Sequence, residues 1–174
     1  MLLEDFLKKN YQQLDKLNQC LIPLNFQTQL YDVSENIPIP VLVVGLKEDY
    51  KGDICAINIA FTPFNNEDLE YTSLLQLSIE MSVDVNQGNE ETLIRFANKV
   101  NSIIPIGNFV LTDNTLCYRY VYPVASTVEI THSSVLETIS LYSLFFFQYD
   151  EIFAKLASGI ISYNEAVTAI TNVE

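Results

Sequence analysis

From Leu75 to Val85 the chain alternates without a break. Leu75, Leu77, Ile79, Met81, Val83 and Val85 are apolar, while Gln76, Ser78, Glu80, Ser82 and Asp84 between them are polar. A period of two over this length suits a β-strand with one buried and one wet face, the behaviour of an antiparallel sheet. Further segments carry strand patterns. Phe26–Val33 is the least regular. Val41-Leu42-Val43-Val44 is a continuous apolar run, which predicts a strand covered on both faces. Ile54–Phe61 follows a Glu48–Asp53 connection that contains Gly52. Phe109–Leu111 and Leu116–Tyr122 flank Thr112-Asp113-Asn114-Thr115 and predict a hairpin.

Helical spacing appears in four other stretches. Leu3, Phe6, Leu7, Leu14, Leu17 and Leu21 form a stripe that Asn10 interrupts, and Pro23 ends it, predicting a helix over 3–20. Leu93, Phe96, Ala97, Val100, Ile103 and Ile104 give a helix over 90–104, with Asn89 as N-cap and Glu90 and Glu91 in the first turn. Ser134 and Glu137 have capping-box spacing, so a third helix is expected over 134–157, stopped by Ser158-Gly159. Ser162 and Glu165 repeat that spacing before a short helix over 163–171. The order α-β-β-β-β-α-β-β-α-α describes an α+β fold: an antiparallel sheet of five to six strands with helices packed on it. The expectation is one domain over 1–174, with 160–174 a short C-terminal helical extension. No repeat, linker or low-complexity tract interrupts it.

Composition then narrows the partners. Nine Lys and Arg against 22 Asp and Glu leave a net charge of −13. That field repels nucleic acid and anionic membrane surfaces, so neither is expected as a partner. The longest uncharged apolar stretch, Thr138–Tyr149, is shorter than the roughly 20 residues of a membrane span. The start Met1-Leu2-Leu3-Glu4-Asp5 is acidic and lacks a basic n-region, so no signal peptide is expected and the expected location is the cytoplasm. Cys20, Cys55 and Cys117 are far apart and form no C-x-x-C pair, so buried reduced thiols are expected.

A search for chemistry finds no convergent catalytic set, and the chain is not read as an enzyme. The single histidine, His132, precedes the third helix and suits a surface or capping role; Cys117 would meet it only through tertiary structure. Glu48, Asp49 and Asp53 crowd one turn, and Glu67, Asp68 and Glu70 another. Both read as solvated acids without EF-hand spacing, so no metal and no cofactor is assigned. Gly45, Gly52, Gly107 and Gly159 stand singly and read as turn or cap positions, not as a phosphate cradle. Leu116, Tyr118, Tyr120 and Tyr122 share one face of their strand, which is expected to pack under a helix.

The third helix carries the best candidate contact surface. Val135, Ile139, Tyr142, Phe145, Phe146, Tyr149, Phe153 and Leu156 make its core stripe. Leu144 and Phe147 fall on the far side, near Leu141 and among Ser140 and Glu151. Apolar side chains on a polar face either meet a neighbouring element or mark an interface. These five residues are therefore the candidate protein interface.

The layout also resembles the YbjN-like domains, whose fold is similar to that of type III secretion chaperones. The match is carried by Ile104-Pro105-Ile106-Gly107-Asn108-Phe109-Val110-Leu111-Thr112-Asp113, by Leu116-Cys117-Tyr118-Arg119-Tyr120-Val121-Tyr122-Pro123, and by the Phe/Tyr-rich third helix with Tyr149. The likeness spans about Leu3 to Gly159; the helix after Gly159 extends past the usual end. It implies an acidic, often dimeric, protein-binding module of chaperone or adaptor type, with no catalytic residues to carry over. A regulatory or structural homodimer, and an acidic immunity- or inhibitor-type protein, are the alternative readings.

Overall fold

The computed structural model describes residues 3–63, 72–125 and 132–171. Its described residues form α1 (Leu3–Leu21), β1 (Thr28–Tyr31), β2 (Val41–Glu48), β3 (Ile54–Phe61), β4 (Thr72–Glu80), α2 (Glu90–Asn101), β5 (Asn108–Thr112), β6 (Thr115–Ala125), α3 (His132–Ala157) and α4 (Tyr163–Thr171). The strands make one antiparallel sheet in the order β1-β2-β3-β4-β6-β5, so the fold is α+β as the sequence pattern requires. By contacts the chain divides into two compact units. One comprises Met1–Leu46, Ala56–Ser78 and Val121–Ile139; the other comprises Lys47–Cys55, Ile79–Tyr120 and Ser140–Glu174.

In the first unit α1 packs against β1 and buries Leu14, Leu17 and Leu21, with Phe6 and Leu7 half-buried. Asn10 lies on the same stripe and is buried with it, so the polar residue is accommodated in the stripe. Pro23 falls in a short 3-10 turn, Ile22–Leu24, and Asn25 leaves it with a left-handed backbone, φ 64°. The first strand is shorter than the 26–33 expectation. β1 pairs with β2 in the register Thr28↔Val44 to Tyr31↔Val41. In β2 only Leu42 and Val44 are buried, while Val41 and Val43 are half-exposed. The apolar run thus has one covered face, which corrects the expectation of two; β-branched residues suit a half-buried pleat equally well. Gly45 is also not a turn residue. It sits inside β2, where its N–H donates to the Gln27 carbonyl at 2.7 Å and a Cβ would lie 3.3 Å from Gln27. β3 and β4 pair Ile59↔Leu77 and Phe61↔Leu75 on the buried face, and Asn58↔Ser78 and Ala60↔Gln76 on the other.

The long alternation ends earlier than its pattern. β4 starts at Thr72 and stops at Glu80. The Met81 N–H still donates to the Leu116 carbonyl at 2.9 Å, but the Val83 N–H turns back onto the Met81 carbonyl at 2.8 Å. That bond withdraws the backbone from the ladder, and Val83 and Val85 are left half-buried. α2 buries Leu93, Phe96, Ala97 and Val100 but ends at Asn101, where the Ser102 hydroxyl donates to the Lys99 carbonyl at 2.7 Å. Ile103 is exposed and Ile104 half-buried, so neither belongs to the helical core face assigned to them. Asn89 makes no cap bond to α2. Its amide nitrogen donates to the carbonyls of Asp84 and Ala157, and its oxygen accepts from the Asn86 N–H. The side chain serves the loop and the end of α3 instead.

α3 begins at His132, so Ser134 is already inside the helix and the Ser134/Glu137 capping box is not used. Its end matches expectation: Gly159 is left-handed at φ 71°, and the N–H of Ile160 closes onto the Lys155 carbonyl at 2.9 Å. The second capping box is present. The Glu165 N–H donates to Ser162 Oγ at 3.3 Å, and the Ser162 N–H donates to Glu165 Oε2 at 2.7 Å. The Ser162 N–H, and then the Ser162 hydroxyl donating to the same oxygen at 2.7 Å, hold the Glu165 carboxyl below its ordinary range. α4 then buries Ala166 and Ile170 against α2. No helix among the described residues is long and apolar enough to cross a membrane.

Candidate functional site

The candidate surface on α3 is defined by what lies behind it. Asp113 and Asn114, with φ of 50° and 60°, close a two-residue hairpin between β5 and β6 in which Thr112 faces Thr115. Paired positive φ values match the strand twist, and Asn and Asp tolerate them. The hairpin aligns Phe109 with Tyr118, whose rings stack at 4.5 Å. Tyr142 of α3 stacks on Tyr118 at 4.4 Å and 10°, and its hydroxyl donates to the Tyr118 carbonyl. Phe153 meets Phe109 at 4.6 Å and Phe96 of α2 at 4.8 Å. The result is a continuous buried aromatic column, each ring pair worth about 0.5–1.5 kcal/mol beyond its area. Tyr118 therefore packs under a helix as expected, while Tyr120 and Tyr122 are half-buried. Burial pushes the Tyr118 and Tyr142 phenols well above their ordinary range.

The opposite face of α3 carries the predicted residues. Leu144 is 61% exposed and Leu141 44% exposed; Ser140 and Glu151 are exposed beside them. Phe147 differs: it is half-buried, edge-on to Phe146 at 5.0 Å, with Lys47 Nζ 4.2 Å from its ring centroid. Glu151 is engaged by Lys155 at 2.6 Å. Phe145, expected in the core, is half-buried. Leu141 and Leu144 are the exposed large apolar side chains of the helix among the described residues.

The turn carrying Glu48, Asp49 and Asp53 is not a simple solvated tip. Asp49 Oδ1 accepts the N–H groups of Lys51 and Asp53 at 2.8 and 2.9 Å, which folds the turn on itself. The Tyr50 N–H donates to Asp150 Oδ2 of α3 at 2.7 Å. Asp150 is 5% exposed, and sequence reasoning missed it. The signal was an acid four residues after Phe146 and three before Phe153, on the buried stripe. Burial raises the Asp150 carboxyl above its ordinary range; the Tyr50 N–H lowers it, Asp49 and Glu151 raise it, and Lys51 lowers it.

The cysteines are free, but only Cys55 is buried; Cys20 and Cys117 are half-buried, which corrects the expectation for those two. Burial and then Asp49, Asp150 and Asp53 push the Cys55 thiol up to about 12. Burial, then Glu80, raises Cys117. Among the described residues no group of His, Cys, Asp and Glu could hold a metal ion. Glu67, Asp68, Glu70 and the side chain of His132 lie outside the described residues. No protein-family model matches this chain, and no curated protein matches it.

Proposed function

We propose that this protein is a non-catalytic protein-binding module of chaperone or adaptor type, working in the cytoplasm and contacting its partner through the outward face of α3. The observation that carries this reading is Leu144. It stands 61% exposed at the middle of a helix whose other face is sealed by the aromatic column, with Leu141 beside it. A rigid backing and an exposed apolar centre are the ingredients of a binding anchor. The rim of Lys47, Ser140, Glu151 and Lys155 is polar, as protein interfaces are at their edges. Free thiols suit a reducing compartment, and a net charge of −13 favours a protein partner over nucleic acid.

The test is Leu144→Glu, read by light scattering and by native co-purification. An exposed site tolerates the change within about 0.5 kcal/mol. The expected result is a wild-type complex, with a partner or a second copy, that the folded variant no longer forms. A wild-type protein that stays monomeric and alone, or a variant that loses stability, refutes the assignment of this face.

A further inference from the structure

A cavity of about 440 Å³ opens in the first unit, between α1 and the chain that leaves β1. From α1 come Glu4, Leu7, Lys8 and Tyr11; from the chain after β1 come Asp32 and Val33. Helical spacing explains the first set, because residues at i, i+3, i+4 and i+7 share one face of a helix. That face flanks the buried stripe of Leu14, Leu17 and Leu21. Backbone bonds fix the second set. Asp32 follows the last residue of β1, and its Oδ1 accepts the Val33 N–H at 2.7 Å. Just beyond, Ser34 and Ile37 exchange backbone bonds at 2.9 and 3.2 Å and close a tight turn. Both walls therefore stand without a ligand between them.

We infer that this cavity is a docking pocket for an arginine side chain carried by a partner protein. Its lining is apolar for the most part, with Leu7 and Tyr11 half-buried and Val33 exposed. Glu4 and Asp32 stand exposed at its edge, and neither meets a cation among the described residues. Two acids against one base, Lys8, leave the lining negative in a chain that carries −13 overall. Such a field draws in a cation and opposes a second copy of the same chain. An arginine matches each part of the lining. Its methylenes cover apolar surface, its guanidinium stacks on an aromatic ring such as that of Tyr11, and its N–H fork suits the Asp32 and Glu4 carboxylates. A lysine ammonium has neither the plane nor the fork. The open mouth decides the source of the group. Sites for small molecules bury about 70–90% of their ligand, whereas Glu4, Lys8, Asp32 and Val33 all remain exposed here. The pocket can hold a side chain while the rest of its owner stays outside.

The test titrates the full-length, isotope-labelled protein with a short blocked peptide carrying one arginine between glycines, following backbone amide shifts. A parallel titration uses the same peptide with citrulline, which keeps the shape of arginine and loses its charge. The expected result is saturable shifts at Tyr11, Asp32 and Val33, with the citrulline peptide binding about tenfold more weakly. Asp32→Asn keeps an acceptor for the Val33 N–H and should weaken the arginine peptide about three- to fivefold, the scale of one exposed ion pair, while leaving the citrulline peptide unchanged. Lys8→Ala removes the competing cation and should tighten the arginine peptide. Should Asp32→Asn fail to fold, Glu4→Gln, at an exposed helical position, carries the same expectation. Equal binding of the two peptides, or shifts as large at the acidic Glu48–Asp53 turn as at the pocket, overturn the inference. So does free arginine that binds more tightly than the peptide, which would make this a small-molecule site, and so does a wild-type dimer that Asp32→Asn splits. Leu144→Glu should leave every one of these readings unchanged, so the pocket is tested apart from the α3 face.

Discussion

Replacing Gly107 with alanine sets a single methyl group against the buried, doubly stacked ring of Tyr118. Gly107 has φ 72°, where an L side chain adds about 1–2 kcal/mol of strain. Its Cβ would lie 2.7–2.8 Å from Cζ, Cε2 and Oη of Tyr118, well inside contact distance. The ring has no room to yield. It is fully buried, stacked on Phe109 at 4.5 Å on one side and on Tyr142 at 4.4 Å on the other, and its hydroxyl donates to the Ile106 carbonyl. Overpacking of this kind costs about 1–3 kcal/mol. The two effects together predict a loss of about 2–5 kcal/mol, a large part of the roughly 5–15 kcal/mol available to a domain. Gly52 is the internal control. It too has positive φ, 87°, but nothing lies within 4 Å of its would-be Cβ. Gly52→Ala should therefore show only the backbone component, about 1–2 kcal/mol. Urea denaturation followed by circular dichroism measures both, with an unchanged m-value certifying the comparison. Equal losses for the two variants, or a Gly107→Ala loss below about 1 kcal/mol, would mean the Tyr118 ring is free to move. The aromatic column would then not be the rigid backing that the α3 surface requires.

Two further expectations follow from the same unit. β5 is an outer strand, and Asn101 closes its free edge at Phe109, donating to the Phe109 carbonyl at 2.9 Å and accepting its N–H at 2.7 Å. Asn101→Ala should cost about 1–3 kcal/mol and promote strand-edge association, seen by denaturation and sedimentation; an unaltered monomer of unaltered stability contradicts this role. The Cys55 thiol, pushed up to about 12, leaves about one thiolate in 10⁴ at pH 8, so native Cys55 should resist alkylation that modifies it readily in urea. Rapid native labelling of Cys55 in a Cys20→Ser, Cys117→Ser background would show that the site is open.

What the sequence made legible was whatever depends on period and local chemistry. Alternation placed β3 and β4, a 3.6-residue stripe placed α1 and the core face of α3, and the Ser162/Glu165 pair announced its own capping box. The misses share a cause: each turned on a contact distant in sequence or on a backbone bond with no side-chain signature. Val83 and Val85 continue the alternation, but one backbone bond to Met81 removes them from the sheet. Asn89 looks like a cap by position, yet it is drawn to the Ala157 carbonyl, 68 residues away. The candidate surface shows the same division. Leu144 follows from the wheel of a single helix, because exposure of a far-side residue needs no partner to predict. Phe147 sits on the same side and is half-covered, because Lys47 comes from the end of β2, a hundred residues earlier. Asp150 is the mirror case. The helix wheel puts it among Phe146, Tyr149 and Phe153, and only the N–H of Tyr50 explains how a carboxyl is held there. The contact of Tyr50 with Asp150 is therefore the part of this surface that no single segment encodes: its two halves are each ordinary turn and helix, and their chemistry exists only where they meet.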